Sequence, residues 1–206
     1  MKPRLLVATT NIGKAREFRE MLGDDRYSWD DLSAHPNVEP PEETGLTFRA
    51  NAMLKASYYA KALSVWAMAD DSGLEVAALS GKPGVHSARW ALMNSAGDGD
   101  AANNALLLRQ MAGCTDRSAR FCCVLALCNP LGSVILTTHG TMQGKIVDSP
   151  RGFRGFGYDP LFMIDELGMT TAELHPDEKH RISHRGRALR RMSALIEAHL
   201  AEGMLI

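Results

Sequence analysis

From Arg120 to Cys128 the chain is apolar almost throughout. The run is far shorter than the roughly 20 residues a membrane helix needs. A strand with no polar alternation has to be covered on both faces, as in sheets flanked by helices. That requirement commits the chain to a layered fold, and the rest of the sequence supplies the layers. Leu5 to Ala8 reads as a short buried strand. A helix follows from about Ala15 to Leu22, with Ala15, Phe18 and Leu22 on one face and Gly23 as its stop. Tyr27 to Leu32 is a second strand. Thr47 to Leu63 is the best-defined helix: Thr47 caps it, and Phe48, Ala52, Ala56, Tyr59 and Leu63 form its stripe. A short strand ends at Ala69, and a helix capped by Asp100 runs to Met111. Val134 to Gly140 returns beside the central run across Asn129-Pro130-Leu131-Gly132, and Ser183 to Leu200 is the final helix. Alternating strands and helices predict an α/β, or mixed α+β, domain.

Composition removes several function classes. The chain has 206 residues, 45% hydrophobic and 23% charged, which is ordinary globular usage and not a disordered or disulfide-scaffold pattern. No repeat or linker divides it, so residues 1–206 read as one domain. The net charge is -1, without the basic footprint that duplex nucleic acid requires. No apolar run suggests a membrane span, and Leu5 to Ala8 is too short for the core of a signal peptide. Cys114, Cys122, Cys123 and Cys128 form no C-x-x-C pair, so they read as reduced core thiols of a cytoplasmic protein.

Four segments carry possible chemistry. The first is Thr9-Thr10-Asn11-Ile12-Gly13-Lys14, between a strand and a helix. Free N–H groups at a helix start suit phosphate, and Lys14 adds a charge. The spacing is not that of a P-loop, and alone the segment reads more simply as a turn with an exposed lysine. The second is Asp70-Asp71-Ser72-Gly73, expected at the carboxyl end of its strand. Adjacent carboxylates call for a neutralising partner, and Mg²⁺ takes one or two carboxylates together with substrate phosphates. The proline-rich loop from His35 to Gly45, with Glu42 and Glu43, is placed to fold over the same point. A solvated turn is the equal alternative. The third is Phe156-Gly157-Tyr158-Asp159-Pro160, where an aromatic ring can stack on a nucleobase and Asp159 can accept from a base N–H. The fourth is Lys179 with Ser183-His184-Arg185-Gly186, a set of donors for phosphate or a base carbonyl. Alone, the third reads as a turn with a half-buried aromatic, and Arg187, Arg190 and Arg191 after the fourth read as a solvated helix face.

Taken together, these blocks resemble the inosine triphosphate pyrophosphatase family from about Leu5 to Leu195. The match rests on their order: Ala8 to Lys14, Glu43 to Phe48, Asn51 to Ala56, Ala69 to Leu74, Gly81 to Arg89, Gly155 to Pro160 and Ser183 to Gly186. The resemblance implies an elongated two-lobed mixed α/β fold with a long curved sheet and a cleft between lobes. It also implies a homodimer and Mg²⁺-dependent hydrolysis of ITP, dITP and XTP to the monophosphate and pyrophosphate.

By position, the resemblance assigns the triphosphate to Thr9, Thr10, Asn11, Ile12, Gly13 and Lys14. It makes Asp71 the proton acceptor and a metal ligand, with Ser72 on phosphate and Glu42 favoured over Glu43 as the second metal carboxylate. Phe156, Gly157, Tyr158, Asp159, Lys179, His184 and Arg185 match the nucleoside pocket. Two positions depart from the family pattern: Thr10 stands where Gly is common, and Ala50 where Glu usually precedes the Asn-Ala pair. The alternatives are a related pyrophosphatase with another nucleotide preference and a nucleotide-binding protein of weakened catalysis.

Overall fold

The structure is a computed structural model that describes residues 4–22 and 28–202. Among these, seven strands follow one another in the sheet as β2-β1-β3-β4-β5-β6-β7. They are β1 (Arg4–Ala8), β2 (Ser28–Asp31), β3 (Trp66–Val76), β4 (Ser118–Cys128), β5 (Val134–Ile146), β6 (Phe162–Ile164) and β7 (Met169–Thr170). The helices are α1 (Ile12–Leu22), α2 (Phe48–Leu63), the single-turn α3 (Trp90–Met93), α4 (Gly99–Gln110), α5 (Pro176–Ile182) and α6 (His184–Ala201). The fold is thus mixed α/β, as the alternating pattern predicts. No helix of the described residues is long and apolar enough to cross a membrane. The chain forms two compact units, Met1–Asp71 with Cys123–Gly140 and Arg185–Ile206, and Ser72–Cys122 with Thr141–His184.

In the first unit β1 lies between β2 and β3 and runs parallel to both. Strand parity sorts its side chains. Leu5 and Val7 join Met68, Phe18 of α1 and Ala188, Leu189, Met192 and Ile196 of α6 on one face. Leu6 and Ala8 join Ala67, Ala69 and the small face of α2, Ala52, Ala56 and Ala60, on the other. Each fully buried Leu, Val or Phe contributes about 1.5–3 kcal/mol. The same parity explains the apolar run of β4: Cys123, Leu125 and Leu127 enter the first cluster, Ala126 and Cys128 the second. Because the chain passes from β1 to β2 on one side and then to β3 on the other, the order reverses at β1. In open α/β sheets ligands bind outside the carboxyl ends of strands at such a point.

The second unit packs Leu74 and Val76 of β3, Phe121 of β4, Met142 and Ile146 of β5 and Leu107 of α4 into one core with Tyr158, Leu161 and Phe162. β6 pairs antiparallel with β5 and with β7.

Several boundaries differ from the sequence reading. The first helix begins at Ile12, three residues before the expected Ala15, because Asn11 caps it: Lys14 N–H donates to Asn11 Oδ1 at 2.9 Å. Its expected stop, Gly23, and the expected strand start, Tyr27, lie outside the described residues. β3 does not end at Ala69 but continues to Val76 through both aspartates. Each carboxylate is neutralised on its own face of the strand, so nothing forces a turn. β5 runs on past Gly140 to Ile146 with Met142 and Ile146 buried. The fourth helix is capped by Asp98, whose side chain accepts from Gly99 N–H, and Asp100 falls in its first turn instead. Thr47 caps α2 as expected, its Oγ1 accepting from Ala50 N–H at 3.1 Å.

Candidate active site

Where β1 ends, Thr9 to Asn11 form a tight connection into α1. Asn11 N–H donates to Thr9 Oγ1 at 3.2 Å, and Asn11 then caps the helix. Ile12, Gly13 and Lys14 form the first turn, the position at which free N–H groups and the helix dipole favour an anion. Ile12 is 86% exposed, an apolar side chain that packing does not explain. Lys14 reaches from this turn to an ion pair with Asp70.

The two aspartates of β3 have different partners. Asp70 lies on the face of Met68 and meets Lys14 of α1 and Arg185 of α6, whose Nε is 3.3 Å from Asp70 Oδ2. Arg185 is in turn ion-paired with Glu17 of α1, and the Cys123 thiol donates to Asp70 at 3.1 Å. The result is a buried chain of alternating charge, Lys14, Asp70, Arg185, Glu17. Burial opposes ionisation of Asp70, but the charges of Lys14, Arg185 and Lys55 overcome it and hold the carboxyl well below the usual carboxylate range. Asp71 lies on the face of Ala69, toward α2. Burial pushes its carboxyl up, Lys55 and Lys14 offset this only in part, and the charge of Asp70 adds to the rise.

The acidic loop joins Asp71 through two residues of α2 to which sequence reasoning assigned no role. Lys55 Nζ lies 2.6 Å from Glu43 Oε1 and 2.9 Å from Asp71 Oδ1. Asn51, one turn earlier and fully buried, donates to Asp71 Oδ2 at 3.3 Å and accepts from Gly45 N–H at 2.8 Å. A Cβ on Gly45 would stand 2.4 Å from Asn51 Oδ1, so only glycine permits this approach. The signal available in the sequence was the i, i+4 spacing of a polar pair on an otherwise alanine-rich face. Glu42 is exposed, and Glu43 is the member of the pair that shares a cation with Asp71. Two carboxylates from separate segments therefore converge on one cationic centre, here an ammonium. Hard oxygen donors around such a centre fit Mg²⁺. No group of three His, Cys, Asp or Glu among the described residues forms a cage for a metal. Mg²⁺ usually keeps several waters and substrate oxygens, so a two-carboxylate seat matches its habits. Ala50 is exposed in the first turn of α2 and brings no carboxylate to the set.

In the second unit, Asp159 organises the glycine-aromatic loop. Its Oδ2 accepts from Phe156 N–H at 2.8 Å and from Lys179 Nζ at 2.6 Å, and its Oδ1 accepts from Thr171 Oγ1 at 2.8 Å. Lys179 stands 5.3 Å from the Phe156 ring centroid. Tyr158 turns inward and donates from its hydroxyl to Ser87 C=O at 3.0 Å; burial raises its phenol above the ordinary range. His184 stacks on Phe121 with centroids 4.8 Å apart. Ser72 opens this unit, half-buried on β3. Phe156, Asp159 and Lys179 are thus brought together, whereas Arg185 belongs to the first unit with Glu17 and Asp70.

The fold is that of solved Ham1 proteins. The Coxiella burnetii HAM1 protein superposes with a TM-score of 0.84 at 40% identity, over 95% of this chain and 99% of that one. The Staphylococcus aureus Ham1 protein gives 0.82 at 39% identity with the same coverage. The Ham1 family model matches residues 5–195, and this chain belongs to the Ham1 family. A curated relative from an Exiguobacterium species, named dITP/XTP pyrophosphatase, is 48% identical over 193 residues, 94% of this chain and 96% of its own length.

Proposed function

We propose that this chain hydrolyses deaminated purine nucleoside triphosphates, dITP, ITP and XTP, to the nucleoside monophosphate and pyrophosphate. Relatives at this level of identity carry the name dITP/XTP pyrophosphatase. The observation that carries the mechanism is the different placement of two neighbouring carboxyls, Asp70 between Lys14 and Arg185 and Asp71 beside Lys55 and Asn51. Environments that drive paired titratable groups apart are how sites separate an electrostatic role from a proton-transfer role.

In this reading Asp71 orients a water and takes its proton as the oxygen attacks the α-phosphorus; pyrophosphate leaves. A base must stand within about 3 Å of that proton, directly or through one water. The Lys14 ammonium and the first-turn N–H groups of Ile12 and Gly13 hold phosphate oxygens, with Thr9, Thr10 and Asn11 shaping the turn, and Ser72 adds a hydroxyl donor. Asp70 keeps Lys14 in place. Asp71 and Glu43 would hold Mg²⁺, which supplies charge neutralisation at the phosphate oxygens and on the leaving group. Sharing Lys55 with Asp71 favours Glu43 over Glu42 for this role. Phe156 offers its ring to the base, and Lys179 and His184 offer donors that suit the O6 acceptor of hypoxanthine and xanthine. Adenine presents an amino donor there, and an unpaired buried donor costs about 1–3 kcal/mol. Arg185 commits donors to Glu17 and Asp70, so its contribution runs through Lys14.

Family resemblance also supports a homodimer and a cytoplasmic setting without a nucleic-acid partner, and four free cysteines fit a reducing compartment. A panel of kcat/KM values for ITP, XTP, GTP and ATP tests the base reading. ITP should exceed ATP by about tenfold or more, which is the factor set by 1.4 kcal/mol. Equal values would defeat the O6 argument.

A further inference from the structure

We propose that Asp100 and Asn104 of α4 are positioning residues for base recognition: together they fix both peptide groups of Gly157 and so set how the Phe156 ring is presented. The inference rests on the reading that this loop meets the base.

Gly157 N–H donates to Asp100 Oδ2 at 2.6 Å, and Gly157 C=O accepts from Asn104 Nδ2 at 2.9 Å. Asp100 and Asn104 stand one helical turn apart, so a single helix face grips the donor and the acceptor of one residue. Gly157 has φ +61°, a left-handed conformation that side-chain-bearing residues rarely adopt, and the two bonds hold it there. On either side the chain is pinned as well: Phe156 N–H by Asp159, and the Tyr158 hydroxyl by Ser87 C=O. Gly157 is the link between these two anchors, so its orientation, held by α4, sets the angle at which the Phe156 ring is presented.

The neighbouring Asn103 shows what a purely structural asparagine looks like in this helix. Its Oδ1 accepts from Ala91 N–H at 2.7 Å and its Nδ2 donates to Ala88 C=O at 3.0 Å. Asn104 is different. Its Nδ2 donates to the Gly157 carbonyl of the aromatic loop, and its Oδ1 has no protein hydrogen-bond partner among the described residues. That asymmetry separates a positioning role from a scaffold role.

The test uses the full-length chain, with steady-state ITP hydrolysis, product inhibition and thermal midpoint measured for each variant. Asn104→Leu and Asp100→Ala should each raise KM for ITP about tenfold, with kcat within about threefold of the parent. The inhibition constant of IMP should rise in step, while that of pyrophosphate, which has no base, stays unchanged. Asn104→Leu should leave the thermal midpoint unchanged or raised. Asp100→Asn keeps an acceptor and should restore a near-parental KM, and the Asp100 pair carries the test should Asn104→Leu fail to fold. An unchanged KM in Asn104→Leu and Asp100→Ala, or a parallel weakening of IMP and pyrophosphate binding, would overturn the inference. Phe156→Ala separates the two levels. If it leaves KM unchanged, the base-facing reading itself fails. If it raises KM and the α4 variants do not, only the role of Asp100 and Asn104 falls.

Discussion

Asp70 and Asp71 are adjacent on β3 and face opposite sides of the sheet, Asp70 toward Lys14 and Arg185, Asp71 toward Asn51 and Lys55. A period-2 strand next to the point where the strand order reverses delivers neighbouring carboxylates to different helices, and so to different charge environments. Their two roles follow from that parity.

The two asparagine variants should differ in how much stability they cost. Asp70→Asn leaves Lys14 and Arg185 without their shared anion, and breaking a buried pair of this kind costs about 3–5 kcal/mol. Asp71 also pairs with Lys55 and accepts from Asn51, but burial pushes its carboxyl up, so Asp71→Asn should lower the thermal midpoint by less than Asp70→Asn does. The sign for Asp70 is that of a depressed carboxyl: its contribution is present above the ordinary aspartate value and lost only as pH falls through its far lower folded value. Calorimetry at neutral pH on both variants checks the contrast.

Asn51 couples the acidic loop to the strand. Asn51→Leu removes the acceptor of Gly45 N–H and a donor to Asp71, a loss of about 1–3 kcal/mol for unpaired buried groups. The Mg²⁺ concentration for half-maximal activity should rise, because the loop that carries Glu43 loses its Gly45 anchor and is held beside Asp71 by Lys55 alone. Activity titrated against Mg²⁺, alongside thermal melts, measures both effects.

Ala50 occupies the third helical position after the Thr47 cap, where a glutamate completes a capping box and complements the helix dipole. Ala50→Glu should stabilise the fold by about 0.3–1 kcal/mol. The gain would appear as a small rise in thermal midpoint, and its absence would show that the first turn of α2 is already satisfied.

The buried thiols set an alkaline limit. Burial pushes Cys122 up to about 12, with the Glu75 carboxylate adding to the rise, and burial raises Cys128 to about 11. In the unfolded chain thiols ionise near pH 8.5 while the native ones stay protonated. The native state then binds more protons, so stability falls as pH rises from about 8.5 toward those folded values. Below that window the thiols contribute no pH dependence. Melts between pH 7 and 10 on the parent and on Cys122→Ala with Cys128→Ala should diverge only above about pH 8.5.

Much of the layered architecture was legible because strand parity and helical stripes are local signals: Leu5 to Ala8, the α2 stripe and the apolar β4 run each carry their own period. The segment Asp70 to Gly73 misled, since its composition is that of a turn. Only long-range partners, Arg185 far along the chain and Lys55 on α2, allow a strand to continue through two carboxylates. The helix start at Ile12 was hidden by the same glycine and lysine that suggest a phosphate loop. Asp100 looked like a cap because an acid before an apolar helix usually is one, yet Asp98 took that place and freed Asp100 for Gly157. Lys55 and Asn51 were visible as a polar pair at helical spacing, but nothing local says what they face.

The most direct test of the central claim, that Asp71 beside a cation seat performs the hydrolysis, is pyrophosphate release from ITP in excess Mg²⁺ and in EDTA, for the parent and for Asp71→Asn. The parent should turn over only with Mg²⁺. The folded Asp71→Asn protein should lose about 10²–10⁴-fold in kcat, the range that a general base supplies. Near-parental turnover by Asp71→Asn, or full activity in EDTA, would contradict the account.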